Sequence, residues 1–301
     1  MTDRKTERYK AEHTDSGSKE AAGRRIRMVA LDLDGTTLND DKQISERTVE
    51  AFRKAMEQGV HIVVSTGRTY GSLPQQLFFI EGLEYAVTSN GAHITEIAGR
   101  KLIYEDYIPS AAIETIEKLL RNTGISVEVF VKGRAYIDRR EYEEVLTMGS
   151  SYRDAEYIKT TRTPVPDILD FMLAHKETVE NINITFEFLE EKEQWRGVLE
   201  QIEGTTLTSS FIHNFEVGGR STSKAEALRW LMRRLGVSAD ELMAVGDSPN
   251  DEEMIKLAGL GVAVANARES TKEIADCITA SNQEDGVAKA IEKFVLRDSA
   301  Q

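Results

Sequence analysis

"MVALDLDGTTLND" (Met28 to Asp40) decides how the chain is read, because an apolar run there breaks off into two aspartates, a glycine and two threonines. The stretch "IRMVALDL" is almost continuously apolar, the pattern of a strand buried on both faces of a parallel sheet. Working outward, "SERTVEAFRKAMEQG" has helical spacing, with Ser45 as its cap, Val49, Phe52 and Met56 on one face, and Gly59 as its stop. "VHIVVST" (Val60 to Thr66) predicts a second buried strand and "EYAVTSN" (Glu84 to Asn90) a third. Between them "YGSLPQQLFFIEG" predicts a helix whose Phe78 and Phe79 enter the core. Strand–helix–strand units on short loops imply right-handed crossovers and a doubly wound parallel sheet.

From about Gly91 the rhythm changes. Short candidate strands ("AHITEI", "SVEVFVKG", "RAYIDR", "NINITFEF") are interspersed with two helix-like stretches, "SAAIETIEKLLRNTG" and "KEQWRGVLEQIEG". Such a succession predicts an α+β module. After about Gly218 the first alternation returns in "SKAEALRWLMRRLG", "ELMAVGD", "DEEMIKLAG" and "GVAVAN". The expected fold class is α/β: a doubly wound, Rossmann-like parallel sheet over residues 26–91 and 216–297, interrupted by an inserted α+β domain over residues 92–215. Residues 1–25 are charged throughout and lack an apolar centre, so they are read as a polar, disordered extension rather than a signal peptide.

Composition narrows the function. With 40% hydrophobic and 30% charged residues in 301, the chain has the make-up of a soluble globular protein with a sizeable core. A formal net charge of -13 argues against a nucleic-acid partner, which would need a basic face. It leaves anionic small molecules open, since a metal or a few local cations can dominate one site. The single cysteine, Cys277, excludes an intrachain disulfide and fits a reducing cytoplasm. No apolar stretch approaches membrane-spanning length, so no membrane partner is expected.

Three strands end in chemically suggestive residues: "LDLDGTT", "VVSTGR" and "AVGDSPND". In an open parallel sheet those ends share one rim, where ligands bind. Asp32 and Asp34, two apart on extended chain, can point the same way. Carboxylates brought together repel unless a cation lies between them or one holds a proton. Asp247 and Asp251 add further hard oxygen ligands, a set that suits Mg²⁺. Gly35 allows an abrupt turn whose amides can grip a phosphate. A plain strand-ending turn would account for "DG" alone, but it leaves Asp32, an acid inside the apolar run, without a reason. "STGR" sets Thr66, the Gly67 amide and Arg68 where an anion could be held, or else caps a helix. Lys224 follows a short polar loop that could deliver its ammonium to the same rim.

In this order and spacing, "DLDGTTL", "STGR", Lys224 and "GDSPND" resemble the four signature motifs of the haloacid dehalogenase-like (HAD) superfamily. "SNGA" (Ser89 to Ala92), the insert beginning there, and "VAVANA" followed by "SNQEDGVAKAIEKF" resemble its Cof-like phosphatase subfamily with a type IIB cap domain. The likeness runs from Ile26 to Val295. It implies a Mg²⁺-dependent phosphatase that hydrolyses small phosphorylated metabolites, sugar phosphates or phosphorylated cofactors, through an aspartyl-phosphate. By the same resemblance Asp32 is the nucleophile, Asp34 protonates the leaving alcohol and then activates water, and Lys224 steadies nucleophile and phosphate. Thr66, Gly67, the turn at Leu33 and Gly35, and Asn250 would hold the phosphate. Mg²⁺ would be bound by Asp32, the Asp34 carbonyl and Asp247 with Asp251 close by, while Asn90 and Asn266 could face the site. The acid role asks Asp34 to carry a proton at neutral pH, so its pKa is expected to be raised by like-charge crowding. In the cap, Tyr136, Arg139, Arg140, His175 and Lys176 are candidate readers of the leaving group, with solvent exposure as the plainer reading of each, and His213 is read as a strand residue. Two other functions fit the same scaffold: a phosphomutase or phosphotransferase, and a non-catalytic phospho-sensor or binding protein.

Overall fold

The computed structural model describes residues 25–149 and 154–296. Met28–Leu31 forms β1, buried throughout as its apolar pattern requires. Helix α1 (Glu46–Glu57) follows, its Ser45 cap accepting the Thr48 N–H, with Phe52 buried and Val49 and Met56 packed beside the core. Next come β2 (His61–Ser65), β3 (Tyr85–Thr88), β4 (His93–Glu96) and β5 (Lys101–Glu105). A second group comprises α2 (Ser110–Leu120), β6 (Ser126–Val131), β7 (Arg134–Asp138), α3 (Arg139–Met148), α4 (Ala155–Thr161) and β8 (Arg162–Val165). It continues through α5 (Ile168–Ala174), β9 (Val179–Thr185), α6 (Leu189–Leu199), β10 (Thr206–Thr208) and β11 (Asn214–Gly218). The last group is α7 (Lys224–Leu235), β12 (Leu242–Gly246), α8 (Glu252–Leu257), β13 (Leu260–Ala263), α9 (Glu269–Ile274), β14 (Cys277–Ile278) and α10 (Gly286–Phe294).

The larger sheet has the order β14-β13-β12-β1-β2-β3-β4-β5. Strands β14 to β3 are parallel, and β1 lies where the chain order reverses, between β2 and β12. Side chains alternate between the faces: Val29 and Leu31 pack toward α1 and α10, Met28 and Ala30 toward α7 and Met254 of α8. This is the doubly wound α/β architecture expected. The crevice beyond the carboxyl end of β1 is therefore the natural ligand position.

The smaller sheet runs β10-β11-β9-β6-β7-β8 and is antiparallel except for the β7–β8 pair. Its residues also alternate. Val127, Val129, Ile182, Ile184, Phe215 and Val217 pack into one core with α2, α5 and α6. Glu128, Phe130, Asn183, Asn214 and Glu216 take the opposite face.

Several expectations change. The boundary at residue 92 falls inside the larger sheet, because β4 and β5 extend it in antiparallel fashion; at the other end β11 carries the smaller sheet to Gly218. The stretch "YGSLPQQLFFIEG" forms two 3₁₀ turns, Tyr70–Ser72 and Gln75–Phe79, instead of one helix. Pro74 holds the preceding Leu73 extended (ψ 141°), which breaks the helical run. Phe78 still packs on the core, edge-on to Tyr70, but Phe79 is 84% exposed. Helices α3, α4 and α5 occupy stretches where none was expected. The expectation for residues 1–25 falls outside the described residues, Arg25 apart. Among the described residues no helix is long and apolar enough to cross a membrane.

Candidate active site

Three parallel strands deliver the rim. Asp32 follows β1 directly, its N–H donating to the Val245 carbonyl of β12 (3.0 Å). Thr66 follows β2 with its N–H on Val87 (3.0 Å), and Asp247 follows β12. After Asp32 the chain turns sharply, the Leu33 carbonyl accepting N–H groups from Thr36, Thr37 and Leu38. The Leu33 side chain is buried in the core, so only its backbone faces this turn. Gly35 has φ +80°, and a Cβ there would lie 2.8 Å from Asp247 Oδ2, so the turn needs a glycine on both counts. Asn266 supports it, donating to the Gly35 carbonyl at 2.7 Å.

Lys224 opens α7, whose first turn is capped by Ser223. Gly91, at φ +101°, lets that end approach: a Cβ there would sit 2.1 Å from the Ser223 carbonyl. The lysine is buried, and its Nζ donates to Asp32 Oδ1 and to Asp251 Oδ1, both at 2.6 Å. The other Asp251 oxygen accepts the N–H groups of Asp247 (2.9 Å) and Ser248 (3.0 Å). Asp247 accepts from Thr36 and Ser248 hydroxyls, each at 2.7 Å.

Asp32, Asp247 and Asp251 each offer a carboxylate oxygen, all within 4.8 Å of one another. Burial pushes the Asp32 carboxyl well above its ordinary pKa; Lys224 opposes this, and the charges of Asp251 and Asp247 add to it. Asp247 is raised by burial and by Asp251. For Lys224, the two carboxylates outweigh burial and hold the ammonium above its usual range. Three acids with one ammonium make a cluster of hard oxygens short of positive charge, a donor set that fits a divalent metal ion.

Asp34 behaves differently from expectation. Its carboxylate lies outside the acid cluster, turned to Arg68, which grips it through Nε (2.6 Å) and Nη2 (2.7 Å), with Lys42 at 3.4 Å. Burial alone would raise its pKa, but the Arg68 bonds and charge outweigh that and lower it. The expected upward shift is therefore wrong in sign: the nearest charge is a guanidinium, not a carboxylate.

Around Thr66 the backbone is knitted to the Ser89–Gly91 turn, with Asn90 N–H on the Thr66 carbonyl (3.1 Å) and Ser89 N–H on that of Arg68 (2.8 Å). Asn250 donates to Asn90 Oδ1 at 3.0 Å, leaving Asn250 Oδ1 buried without a partner. A cavity of about 370 Å³ opens between this rim and the polar face of the smaller sheet. The rim contributes Asp32, Asp34, Thr66, Gly67, Arg68 and Asn250 to its lining.

The opposite wall was not identified from the sequence. Glu216 of β11, Asn183 of β9 and Glu128 of β6 stand in one cross-strand row. Asn183 donates to Glu128 Oε2 (3.0 Å) and accepts from Asn214 (2.9 Å). Arg162 pairs with Glu128 through Nε (3.2 Å) and Nη2 (2.8 Å), while the Tyr157 ring lies 4.8 Å from Arg162 and 5.0 Å from Arg68. The signal was present in "SVEVFV", "NINIT" and "NFEVG", whose period-2 pattern sets polar residues on one face of buried strands. None of the cap candidates lines the cavity. Tyr136 and His175 pack on Phe171, Lys176 pairs with Glu114, Arg140 pairs with Glu144, and Arg139 is exposed. His213 lies in the turn just before β11 and not in a strand, its Nδ1 3.0 Å from the Phe186 carbonyl.

The family model described as haloacid dehalogenase-like hydrolase matches residues 29–291. A Bacillus subtilis (strain 168) protein, phosphatase YwpJ, is 34% identical over 281 residues, covering 87% of this chain and 98% of its own. The 5-amino-6-(5-phospho-D-ribitylamino)uracil phosphatase YcsE of the same organism is 35% identical over 275 residues, covering 90% and 96%. Among solved structures, a haloacid dehalogenase-like hydrolase from B. subtilis superposes with a TM-score of 0.77 at 31% identity, over 89% of this chain and 99% of that one.

Proposed function

Because this chain belongs to the haloacid dehalogenase-like hydrolase family, as a phosphoric monoester hydrolase, we propose that it cleaves small phosphorylated metabolites by covalent catalysis at Asp32. The observation that carries the reading is Lys224 Nζ, buried and bonded at 2.6 Å to both Asp32 and Asp251, with Asp247 completing the acid cluster. On this route the Asp32 carboxylate attacks phosphorus, forming an acyl–phosphate bond as the ester oxygen departs. Asp34, ionised beside Arg68 at rest, takes up a proton from solvent and delivers it to that oxygen. Water, deprotonated by Asp34, then attacks the aspartyl-phosphate, releasing inorganic phosphate and regenerating Asp32. The Thr66 hydroxyl and the Gly67 amide would hold the phosphoryl oxygens, joined by the Gly35 turn and Asn250, while Lys224 offsets charge on nucleophile and phosphate.

The cofactor in this reading is Mg²⁺, held by the carboxylates of Asp32 and Asp247, with Asp251 adjacent and the Asp34 carbonyl as a further ligand. When bound it would supply charge neutralisation for the phosphoryl oxygens and nucleophile. The inserted domain, with residues between β5 and α7, would act as the cap that excludes water and contacts the leaving group. Relatives named for a ribityl phosphate bring phosphorylated polyols and cofactor precursors into the substrate class, beside sugar phosphates. The cytoplasm is the proposed compartment, in keeping with a single cysteine.

The test is phosphate release with Mg²⁺ across a broad panel of phosphorylated metabolites, with Asp32→Asn alongside. Release by the wild type and its loss in the variant are expected. An isomerised sugar phosphate without free phosphate would indicate a mutase. Equal turnover by Asp32→Asn would remove Asp32 from the chemistry.

A further inference from the structure

We propose that Glu216 reads a hydroxyl vicinal to the phosphate ester, so that the favoured leaving group is an uncharged, hydroxyl-rich one. The inference rests on the phosphatase reading above and concerns what lies beyond the phosphate. Glu216 belongs to β11 in the smaller sheet, yet it reaches the phosphate side of the cavity: its Oε1 would lie 3.4 Å from a Cβ placed on Gly67. The residue is 5% exposed; Ser210 and Asn90 approach its carboxyl, and its Oε2 is buried with no hydrogen bond of normal geometry. An acceptor left open in a buried site is costly unless a ligand completes it. The chemistry that completes a carboxylate oxygen is a donor, an O–H or N–H. A group beside the phosphoryl-gripping Gly67 is placed for the substituent on the carbon next to the ester.

The rest of that wall excludes a negatively charged leaving group. Glu128, Asp154 and Glu216 line the cavity from the smaller-sheet side, and the cations there are engaged. Arg162 is taken up by Glu128 and Arg68 by Asp34, while Lys42 leans toward Asp34 at 3.4 Å. A second phosphate or a carboxylate would thus face carboxylates without a free guanidinium. Hydroxyls would find acceptors, and their carbon skeleton could lie along the Tyr157 and Phe130 rings that also line the space.

The experiment compares kcat/KM for glycerol 1-phosphate, 3-hydroxypropyl phosphate (which lacks only the vicinal hydroxyl) and 3-phosphoglycerate (in which a carboxylate replaces the terminal hydroxymethyl), with p-nitrophenyl phosphate as reference. It is run with Mg²⁺ on wild type, Glu216→Ala and Glu216→Gln. Ratios are taken within each protein, so that general loss of activity or folded fraction cancels. Wild type should prefer glycerol 1-phosphate over its deoxy analogue by about 10- to 100-fold, and over 3-phosphoglycerate by at least about tenfold. Glu216→Ala should bring the first ratio close to one, and Glu216→Gln, which keeps an acceptor oxygen, should retain part of it. A wild-type ratio near one, or a ratio unchanged in Glu216→Ala, overturns the assignment. Equal use of 3-phosphoglycerate overturns the uncharged leaving group. Failure of the wild type on all four esters, p-nitrophenyl phosphate included, would instead sink the phosphatase reading and this inference with it.

Discussion

Replacing Lys224 by methionine is the most informative single perturbation of the rim. The ammonium is buried and makes two 2.6 Å charge-assisted bonds, to Asp32 and to Asp251. Removing one partner of a buried ion pair typically costs about 3–5 kcal/mol, because the remaining charge is left uncompensated. Here two carboxylates lose their cation at once, with Asp247 within 4.8 Å, so the upper part of that range applies. At about 2–4 °C per kcal/mol for a domain of this size, the melting temperature should fall by about 10 °C or more. Phosphate release should fall by about 10²–10³-fold, the usual effect of losing one preorganised charge stabiliser. Magnesium provides the second readout. A divalent ion among the acids relieves the repulsion that the lysine relieved, so Mg²⁺ should raise the melting temperature of Lys224→Met more than that of wild type. The assay is a thermal melt with and without Mg²⁺, alongside phosphate release. A variant that melts within about 2 °C of wild type, with equal Mg²⁺ shifts in both proteins, would refute the view that the ammonium compensates this cluster.

Two further outcomes follow from local geometry. Gly35→Ala places a methyl 2.8 Å from Asp247 Oδ2 at a φ of +80°, so it should destabilise by about 1–2 kcal/mol; displacement of Asp247 should also weaken Mg²⁺ binding at least about tenfold, read by isothermal titration. Glu180 of β9 is buried, accepting from Ser89 Oγ (2.8 Å) and the Gly133 N–H (2.6 Å), with His93 Nδ1 at 3.5 Å. Burial pushes its pKa up to about 7 and that of His93 down to about 4, so the imidazole is neutral where the acid ionises. A carboxyl raised in the folded state costs nothing below its unfolded pKa of about 4.5 and destabilises increasingly as pH rises to about 7. The gap is worth about 3 kcal/mol, so Glu180→Gln should gain that much relative to wild type between pH 4.5 and pH 8 in chemical denaturation; a pH-independent difference would contradict it.

Much of the fold was legible because it is written in local periodicity. The buried strand before Asp32, the capped helix at Ser45 and the returning alternation after Gly218 each carry their own pattern. What failed depended on context. Leu73 and Pro74 broke a helix that the apolar spacing supported, and Phe79 was left in solvent by the resulting turn. Strands β4 and β5 look in sequence like the hairpins of the insert, and only the pairing of β4 with β3, and of β5 with β4, assigns them to the larger sheet. Asp32, Thr66 and Asp247 could be found because each follows a strand of a parallel sheet, a position that topology alone makes special. The facing wall has no such punctuation. Glu128, Asn183 and Glu216 come from three strands far apart in sequence, and it is the register between those strands that lines them up.

The pKa of Asp34 shows where counting residues stops being enough. Four aspartates near one rim suggest crowding and a raised pKa; Asp32 and Asp247 are raised, by burial first and by the neighbouring acids after it. At Asp34 one guanidinium, bonded at 2.6 and 2.7 Å, reverses the sign. Electrostatic energy falls with distance and dielectric, so a bidentate partner in contact outweighs several acids a few ångströms further away. Arg68 is itself stacked near Tyr157 of α4, at 5.0 Å, so the residue that decides the charge state of Asp34 is held in place from the inserted domain. On the proposed route this resting arrangement presents Asp34 in the ionised form that activates water. On that route the leaving alcohol takes its proton from a carboxyl that Arg68 makes more acidic, so the Tyr157–Arg68 contact bears on the acid–base chemistry.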